Sequence, residues 1–210
     1  MLKALIADDH AVVRRGLKEI LAEELNVAGF GEAGNTAELL ELVRKEHWDI
    51  LILDITMPGR SGLEVLKDLK HDSPRLPVLV LSMHPEDQFA TRTLKAGAAG
   101  YMTKENAPAE LIIAVRKVLS GGTYVSASLA EKLARELATD PGERPHEALS
   151  DREYQVMRMI GSGKAVGTIA QELSLSKKTI STYRAHILEK MRMKNNAEII
   201  HYVLTNHLLD

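Results

Sequence analysis

Residues 50–59 read ILILDITMPG, and this stretch decides the fold. The apolar run from Ile50 to Leu53 has the length and composition of a β-strand that is buried on both faces. The acid Asp54 ends the run, and turn-forming residues follow it. Because an unpaired buried charge is costly, a carboxylate at the end of such a strand needs a specific reason. The stretch therefore predicts a buried parallel strand whose carboxyl end carries a functional group.

Similar apolar runs occur on both sides of this strand along the chain, and they alternate with helical segments. The predicted strands cover 3–7, 27–33, 50–53, 78–81 and 100–102, and the predicted helices cover 11–24, 36–46, 61–70, 85–95 and 108–120. Alternation of this kind is typical of a parallel sheet flanked by helices. It predicts an α/β fold, a doubly wound five-stranded parallel sheet of the flavodoxin-like kind.

Polar side chains stand at the carboxyl ends of these strands, which meet at one edge of a parallel sheet. Asp8 and Asp9 follow the first strand, Asp54 the third, Ser82 the fourth and Lys104 the fifth. Carboxylates so close together repel one another, and oxygen ligands of this kind suit Mg²⁺. Asp54 could then carry a phosphoryl group as an acyl phosphate, with the metal and Lys104 neutralising the developing charge.

This constellation resembles the receiver domains of two-component response regulators. The matching residues are Asp8-Asp9, Asp54, Met57-Pro58-Gly59, Gly62, Ser82 and Lys104. The resemblance implies that Asp54 is the phosphoacceptor, and that Asp8, Asp9, Asp54 and the backbone carbonyl of Thr56 surround Mg²⁺. It also implies that Ser82 binds a phosphoryl oxygen, that Lys104 pairs with the phosphoryl group, and that Tyr101 is an aromatic switch residue.

Three further positions refine this resemblance. Thr56 and His84 match positions that tune the rate of dephosphorylation in the family. Glu105 stands where many receivers have a proline after the lysine, which is a minor departure.

Composition limits the class of protein. The chain has 210 residues, of which 45% are apolar and 27% charged, as in ordinary globular proteins. It has no cysteine, which excludes a disulfide scaffold, a cysteine-ligated zinc site and thiol catalysis. The apolar run before Asp8 is too short for a signal peptide or a membrane span. We therefore expect a cytoplasmic protein with no membrane partner.

Charge divides the chain into an acidic and a basic part. Residues 148–210 carry nine Lys and Arg against six Asp and Glu, a net charge of +3, and the remainder has a net charge of −5. The polar, proline-punctuated segment from Thr139 to Glu147 has the composition of a linker. We predict a receiver domain over 1–120, a helical linker over 121–147, and a small all-α domain over 148–210.

The basic part reads as four short helices, near 151–161, 166–173, 177–192 and 197–208. Ser150 and Glu153 have the spacing of a capping box, and Ser176 caps the longest helix. The helical period of that helix predicts buried Ile180, Tyr183, Ile187 and Met191, and exposed Lys178, Ser181, Thr182 and Ala185. Six basic residues against one acid between Lys177 and Lys194 make a surface suited to DNA phosphates.

The basic part resembles the helix-turn-helix of LuxR-type regulators. The matches are Leu149-Ser150-x-Arg152-Glu153, Ile169-Ala170-x-x-Leu173, Ser176-x-x-Thr179-Ile180, Lys190-Met191 and Asn196-Ala197-Glu198. Ser181 and Tyr183 stand where the family often has lysine and histidine, and Ala185 replaces a basic residue of some members. We expect Lys177, Lys178, Arg184 and Lys194 to contact phosphates, and Ser181, Thr182 and Ala185 to contact base edges, with Thr179 in the same DNA-binding set.

The whole chain therefore looks like a NarL/FixJ-type response regulator rather than an enzyme. The resemblance implies a phosphoryl group received from a sensor histidine kinase, a homodimer formed on phosphorylation, and binding to double-stranded promoter DNA, with RNA polymerase as a candidate further partner. The apolar stripe of the last helix, with Ile199, Ile200, Val203 and Leu204, could pair two DNA-binding domains or pack within one; both interpretations are open.

Three alternatives also remain open. Phospho-aspartate hydrolases use a strand-end aspartate and magnesium, although they usually have a second acid where this chain has Thr56. A LuxR-like regulator could sense a small apolar ligand, but the acidic strand ends argue against an apolar pocket. A receiver that is never phosphorylated and regulates by binding alone is the third.

Overall fold

A computed structural model of the chain describes residues 2–57, 60–83, 86–138, 145–206 and 208–209. The chain forms two compact units, Met1–Leu137 and Ala138–Asp210. Within the described ranges, no helix is both long and apolar enough to cross a membrane.

The first unit is built on five strands that all pair in parallel, in the order β2-β1-β3-β4-β5. The strands are β1 (Leu2–Ala7), β2 (Val27–Ala33), β3 (Ile50–Asp54), β4 (Val78–Ser82) and β5 (Gly100–Thr103). The helices that connect them are α1 (Ala11–Glu24), α2 (Thr36–Lys45), α3 (Gly62–Asp72), α4 (Glu86–Lys95) and α5 (Ala107–Leu119). The predicted α/β fold is therefore confirmed.

One face of the sheet forms a core with α1 and α5. Alternate residues of the strands, such as Ile50 with Ile52 and Leu79 with Leu81, are buried in this core. They pack with Leu21 of α1 and with a stripe on α5. Every residue of β3 and β4 is buried, which explains why these strands read as continuous apolar runs.

The strand order indicates where a ligand would bind at the edge of the sheet. β1 pairs with β2 on one side and with β3 on the other, so the direction of winding reverses at β1. In open α/β sheets, ligands bind outside the carboxyl ends of the strands at such a switch point. Asp8 and Asp9 follow β1 and Asp54 ends β3, so all three stand at this point.

The segment after α5 is held on the edge of the sheet. The Tyr101 backbone N–H donates to the Tyr124 carbonyl at 3.2 Å, and the Tyr124 N–H donates to the Ala99 carbonyl at 2.9 Å. Ser126 and Ser128, at the start of α6 (Ala127–Ala138), donate to the Glu86 carboxylate. These hydrogen bonds hold residues 124–128 to the first unit, and the predicted domain boundaries at residues 120 and 147 stay a prediction. Residues 139–144 of the predicted linker lie outside the described residues.

The second unit is helical, as predicted. A 3-10 helix (Pro145–Ala148) precedes α7 (Asp151–Gly161), α8 (Val166–Glu172), α9 (Lys177–Lys190) and α10 (Asn196–Thr205). α7 packs against α9 and α10. At Gly161 a Cβ atom would lie 2.5 Å from the Val203 side chain, so the glycine allows α7 and α10 to approach closely.

We expect Gly62→Ala to destabilise the first unit by about 1 to 3 kcal/mol, the usual cost of overpacking. Gly62 begins α3, and a Cβ there would lie 2.5 Å from the Cα of Ile55. Backbone atoms cannot rotate away, so α3 or the chain after Asp54 must shift. Urea unfolding measures the change. In the control variant Gly16→Ala, no atom lies within 4 Å of the new Cβ in the interior of α1, and stability should rise slightly. Equal stability of the two variants would contradict the close packing at Gly62.

Candidate functional site

The predicted acidic residues converge at the carboxyl edge of the sheet. The ligand atoms of Asp8, Asp9, His10 and Asp54 all lie within 4.8 Å of one another. Asp8 and Asp54 are 1% exposed, so both carboxylates are buried. The parallel register of β1 and β3 brings the two together from positions 46 residues apart in the sequence.

Lys104 joins this cluster through its ammonium group. Its Nζ lies 2.7 Å from Asp54 Oδ2 and 2.7 Å from Asp8 Oδ2. Burial opposes the charge of the ammonium, but the hydrogen bonds and charges of Asp54 and Asp8 outweigh burial and raise the pKa of Lys104 above its ordinary value. Lys104 is therefore held in its charged form between the ends of β1 and β3.

The Asp54 carboxylate is fixed by contacts on both oxygens. Oδ1 accepts hydrogen bonds from the Thr56 backbone N–H at 2.8 Å and from the Thr56 hydroxyl at 2.6 Å. Oδ2 accepts from Lys104 at 2.7 Å. The carboxylate therefore has one oxygen held by the chain that follows it and the other by the end of β5.

His10 is a member of the cluster that the sequence reasoning missed. Its Nδ1 lies 2.8 Å from Asp9 Oδ1 and 3.2 Å from Asp8 Oδ1, and its backbone N–H donates to Asp8 Oδ1 at 2.8 Å. His10 directly follows Asp9 in the sequence, and this position could have identified it as a member of the cluster.

The donor set fits a hard divalent cation. Three carboxylates, Asp8, Asp9 and Asp54, stand against one ammonium, so the cluster keeps a net charge of −2 when His10 is neutral. A cation with two positive charges would balance this excess, and carboxylate oxygens are the ligands that Mg²⁺ prefers. The acidic cluster could therefore bind a metal ion.

Ser82 and Tyr101 are both fully buried near this edge. Ser82 ends β4 directly after Leu81, which is the register partner of Asp54. The Ser82 carbonyl accepts the Lys104 backbone N–H at 2.8 Å, which connects the ends of β4 and β5. Three other residues that match receiver domains, Pro58, Gly59 and His84, lie outside the described residues.

Helix α9 presents two different faces. Ile180, Ile187 and Met191 are buried, whereas Tyr183 is half-buried. The opposite row is exposed, and it consists of Lys178, Ser181, Thr182 and Ala185. The Ser176 hydroxyl accepts the Thr179 backbone N–H at 3.0 Å and caps the helix as expected.

The basic residues around α9 have different environments. Lys177 and Lys194 are exposed, and neither side chain forms an ion pair with a described residue. The Arg184 guanidinium donates through Nε to Asn196 Oδ1 at 2.6 Å and is half-buried at the junction of α9 and α10. Its expected role as a phosphate contact stays a prediction.

The stripe on α10 divides between core and surface. Ile199 and Val203 are fully buried, Ile200 is half-buried, and Leu204 is 57% exposed. Packing within the unit therefore accounts for Ile199 and Val203, and Leu204 is the member left on the surface.

Glu153 connects α7 to α9. Its carboxylate accepts the Ser150 backbone N–H at 2.7 Å, which completes the predicted capping box, and it accepts the Lys190 ammonium at 2.6 Å. Burial favours the neutral acid, but the Lys190 and Ser150 hydrogen bonds outweigh it and lower the pKa of Glu153 below its ordinary value. The basic helix is thus anchored at its C-terminal end by one buried carboxylate.

Because its pKa is lowered on folding, Glu153 should stabilise the second unit above about pH 4.5, and this contribution should be lost as the pH falls through the lower folded-state pKa. We expect Glu153→Gln to lower stability by about 1.5 to 3 kcal/mol at pH 7, the range for hydrogen bonds to charged groups, and by less in acid. Hydrogen exchange of α7 amides at several pH values measures this. The control Glu172→Gln breaks the exposed pair with Lys164 and should change stability by less than about 1 kcal/mol. A pH-independent difference between wild type and Glu153→Gln would contradict the assignment.

Two known families match this chain. The response regulator receiver domain matches residues 4–116, and the family of bacterial regulatory proteins of the luxR type matches residues 147–203. The response regulator GacA of Pseudomonas aeruginosa is 36% identical over 211 residues, which cover 100% of this chain and 99% of GacA.

Solved structures agree with these matches. RcsB from Salmonella enterica serovar Typhimurium, bound to a promoter in the presence of the phosphomimetic BeF3⁻, is 28% identical with a TM-score of 0.61, over 96% of this chain and 97% of that one. A structure of two RcsB dimers bound to two parallel DNAs is 27% identical with a TM-score of 0.60, over 97% and 98%. The two resemblances seen in the sequence are thus confirmed, and the chain belongs to the NarL/FixJ-type response regulators, transcription factors that join a receiver domain to a LuxR-type helix-turn-helix.

Proposed function

We propose that Asp54 accepts a phosphoryl group from a sensor histidine kinase, and that the phosphorylated protein dimerises and binds promoter DNA through α9. The observation that carries this proposal is the position of Asp54 Oδ2, which lies 2.7 Å from Lys104, with the buried Asp8 and the exposed Asp9 beside it at the sheet edge. In the transfer, an Asp54 oxygen forms a bond to phosphorus as the bond from phosphorus to the histidine nitrogen of the kinase breaks.

Each residue of the site has a defined part in this proposal. Asp8, Asp9, Asp54 and the Thr56 carbonyl would hold Mg²⁺, which would neutralise phosphoryl oxygens during transfer. Lys104, already charged and buried beside Asp54, pairs with the new phosphoryl group. The Ser82 hydroxyl binds a phosphoryl oxygen at the end of β4.

Tyr101 is the proposed switch residue. Its side chain is fully buried in β5, and its backbone N–H donates to the Tyr124 carbonyl of the segment that follows α5. When Ser82 and Lys104 follow the phosphoryl group, Tyr101 changes its packing, and the two-state equilibrium shifts. We therefore propose that the protein is a regulator and not an enzyme that turns over a substrate.

The DNA-binding part rests on the exposed row and charge of α9. Lys177, Lys178 and Lys194 contact phosphates, and Ser181, Thr182 and Ala185 enter the major groove. Thr179 lies beside the groove at the first turn, and Arg184 reaches a phosphate from the flank if its bond to Asn196 opens. RcsB, a relative of the same architecture, is bound to a promoter in one structure and binds DNA as two dimers in another, which supports this part.

The proposed domains are a receiver over 1–120, a helical linker over 121–147 and a DNA-binding domain over 148–210. Since promoter DNA is the target, we place the protein in the cytoplasm, with RNA polymerase as a further proposed partner. Leu204, exposed on α10, is available to pair two DNA-binding domains.

We expect the wild-type protein to gain one phosphoryl group on incubation with Mg²⁺ and acetyl phosphate, and Asp54→Asn to gain none, as measured by intact mass. The amide removes the nucleophilic carboxylate but keeps its shape. Removal of Mg²⁺ with EDTA should abolish the gain, because the net negative charge then repels the donor. The control Asp68→Asn changes an exposed acid of α3 and should be phosphorylated like wild type.

Sedimentation velocity of the same samples tests the dimer. The phosphodonor should increase the sedimentation coefficient of wild type and Asp68→Asn, and leave that of Asp54→Asn unchanged. A phosphoryl gain in Asp54→Asn equal to that of wild type, or none in wild type, would contradict the proposed chemistry. Equal sedimentation with and without donor would contradict the dimer.

We expect Lys177→Ala and Lys194→Ala each to weaken binding to all DNA sequences and to reduce the slope of log K against log salt by about 1, as loss of one phosphate contact does. Fluorescence anisotropy with labelled duplexes at several salt concentrations measures the slope. Lys45→Ala removes an exposed lysine of α2 and serves as the control with an unchanged slope. An unchanged slope in both Lys177→Ala and Lys194→Ala would contradict the assignment of these two lysines to phosphate contacts.

A further inference from the structure

The hydroxyl hydrogens of the exposed row of α9 are used within the helix. The Ser181 hydroxyl donates to the Lys177 carbonyl at 2.9 Å, and the Thr182 hydroxyl donates to the Lys178 carbonyl at 3.1 Å. A hydroxyl group has one hydrogen and two acceptor lone pairs. Both hydrogens are therefore directed back to the helix, and only the lone pairs remain for a partner in solvent.

The other donors near this row are placed differently. The Arg184 Nε donates to Asn196, and the half-buried guanidinium lies at the junction of α9 and α10. Ala185 offers only a methyl group. Lys178 is the single cationic side chain of the exposed row defined by Lys178, Ser181, Thr182 and Ala185.

The major groove presents a different pattern for each base. The donors are adenine N6 and cytosine N4. The acceptors are N7 of both purines, guanine O6 and thymine O4, and thymine also carries a methyl group. Outward lone pairs on Ser181 and Thr182 can accept from adenine N6, but they repel guanine O6, which occupies the same position of the purine ring. The Ala185 and Thr182 methyl groups match the thymine methyl, which a cytosine–guanine pair lacks.

These complementarities converge on one kind of base pair. Both kinds of pair present one donor and two acceptors in the major groove, but only the adenine–thymine pair combines a donor on the purine, at N6, with the thymine methyl group. We propose that Ser181, Thr182 and Ala185 select adenine–thymine pairs in the major groove. This inference rests on the proposed DNA-binding function and adds the class of sequence that the site takes.

Selection from random duplexes by the full chain, with and without acetyl phosphate, tests the base preference. We expect adenine–thymine pairs at the positions that face the row. Replacement of one such pair by guanine–cytosine should weaken binding roughly 5- to 150-fold, the discrimination of a good base contact. Enrichment of guanine at those positions, or no preference there, would overturn the inference.

Two variants assign the preference to the hydroxyl oxygens. Thr182→Val keeps the β-branched shape and the methyl group but removes the hydroxyl acceptor. Ser181→Ala removes the hydroxyl acceptor of the neighbouring position. Each should reduce the discrimination at one base pair to about 2-fold or less. Ser181→Arg supplies donors instead, and it should move the preference at that pair to guanine.

Ser162→Ala is the matched control. The Ser162 hydroxyl is also exposed and also donates to a helix carbonyl, that of Met159 at 2.9 Å, but it lies at the end of α7. Its removal should leave the base preference as in wild type. Circular dichroism confirms the helix content of each variant.

The outcomes separate this inference from the function on which it rests. If wild type binds random DNA with a strong salt dependence but the Ser181 and Thr182 variants keep its base preference, only the inference fails. If wild type binds no duplex under either condition, the proposed DNA binding fails together with it.

Discussion

Two carboxylates, Asp8 and Asp54, lie almost out of solvent within 2.7 Å of the Lys104 ammonium. Removing one partner of such a group would leave a buried charge without compensation, at a cost of about 3 to 5 kcal/mol. The ends of β1, β3 and β5 are therefore tied together electrostatically. Since the Lys104 ammonium does not neutralise all the carboxylates around it, this edge of the sheet keeps a negative charge that a bound cation would neutralise. The same residual charge makes the site responsive to any change at Asp54.

Much of this arrangement could be predicted from local sequence. The continuous apolar runs of β3 and β4 follow from burial on both faces, and the capping box of Ser150 and Glu153 from the chemistry of helix ends. The convergence of Asp8 and Asp54 follows from the parallel arrangement of the strands, because both residues stand at carboxyl ends. The sequence pattern was less accurate at helix ends. It predicts that α9 continues to residue 192, but the helix ends at Lys190, and Arg192 has a positive φ of 55°.

Contacts between distant parts of the chain could not be predicted in this way. The pairing of Tyr124 with the edge of β5, and the bond of Arg184 to Asn196, depend on tertiary positions that no local pattern encodes. The same holds for Lys190, which reads as a surface lysine but donates to the buried Glu153 carboxylate. Sequence patterns give the faces of a helix; they do not give the partners on those faces.

The two faces of α9 have separate roles, and this separation affects how the DNA targets of such regulators can change during evolution. Ile180 and Ile187 hold the helix in its unit, while Ser181, Thr182 and Ala185 lie in solvent. Mutations in the solvent row can therefore accumulate with little effect on folding. After gene duplication, a copy could acquire a new set of target genes through a few such changes and still respond to its original signal.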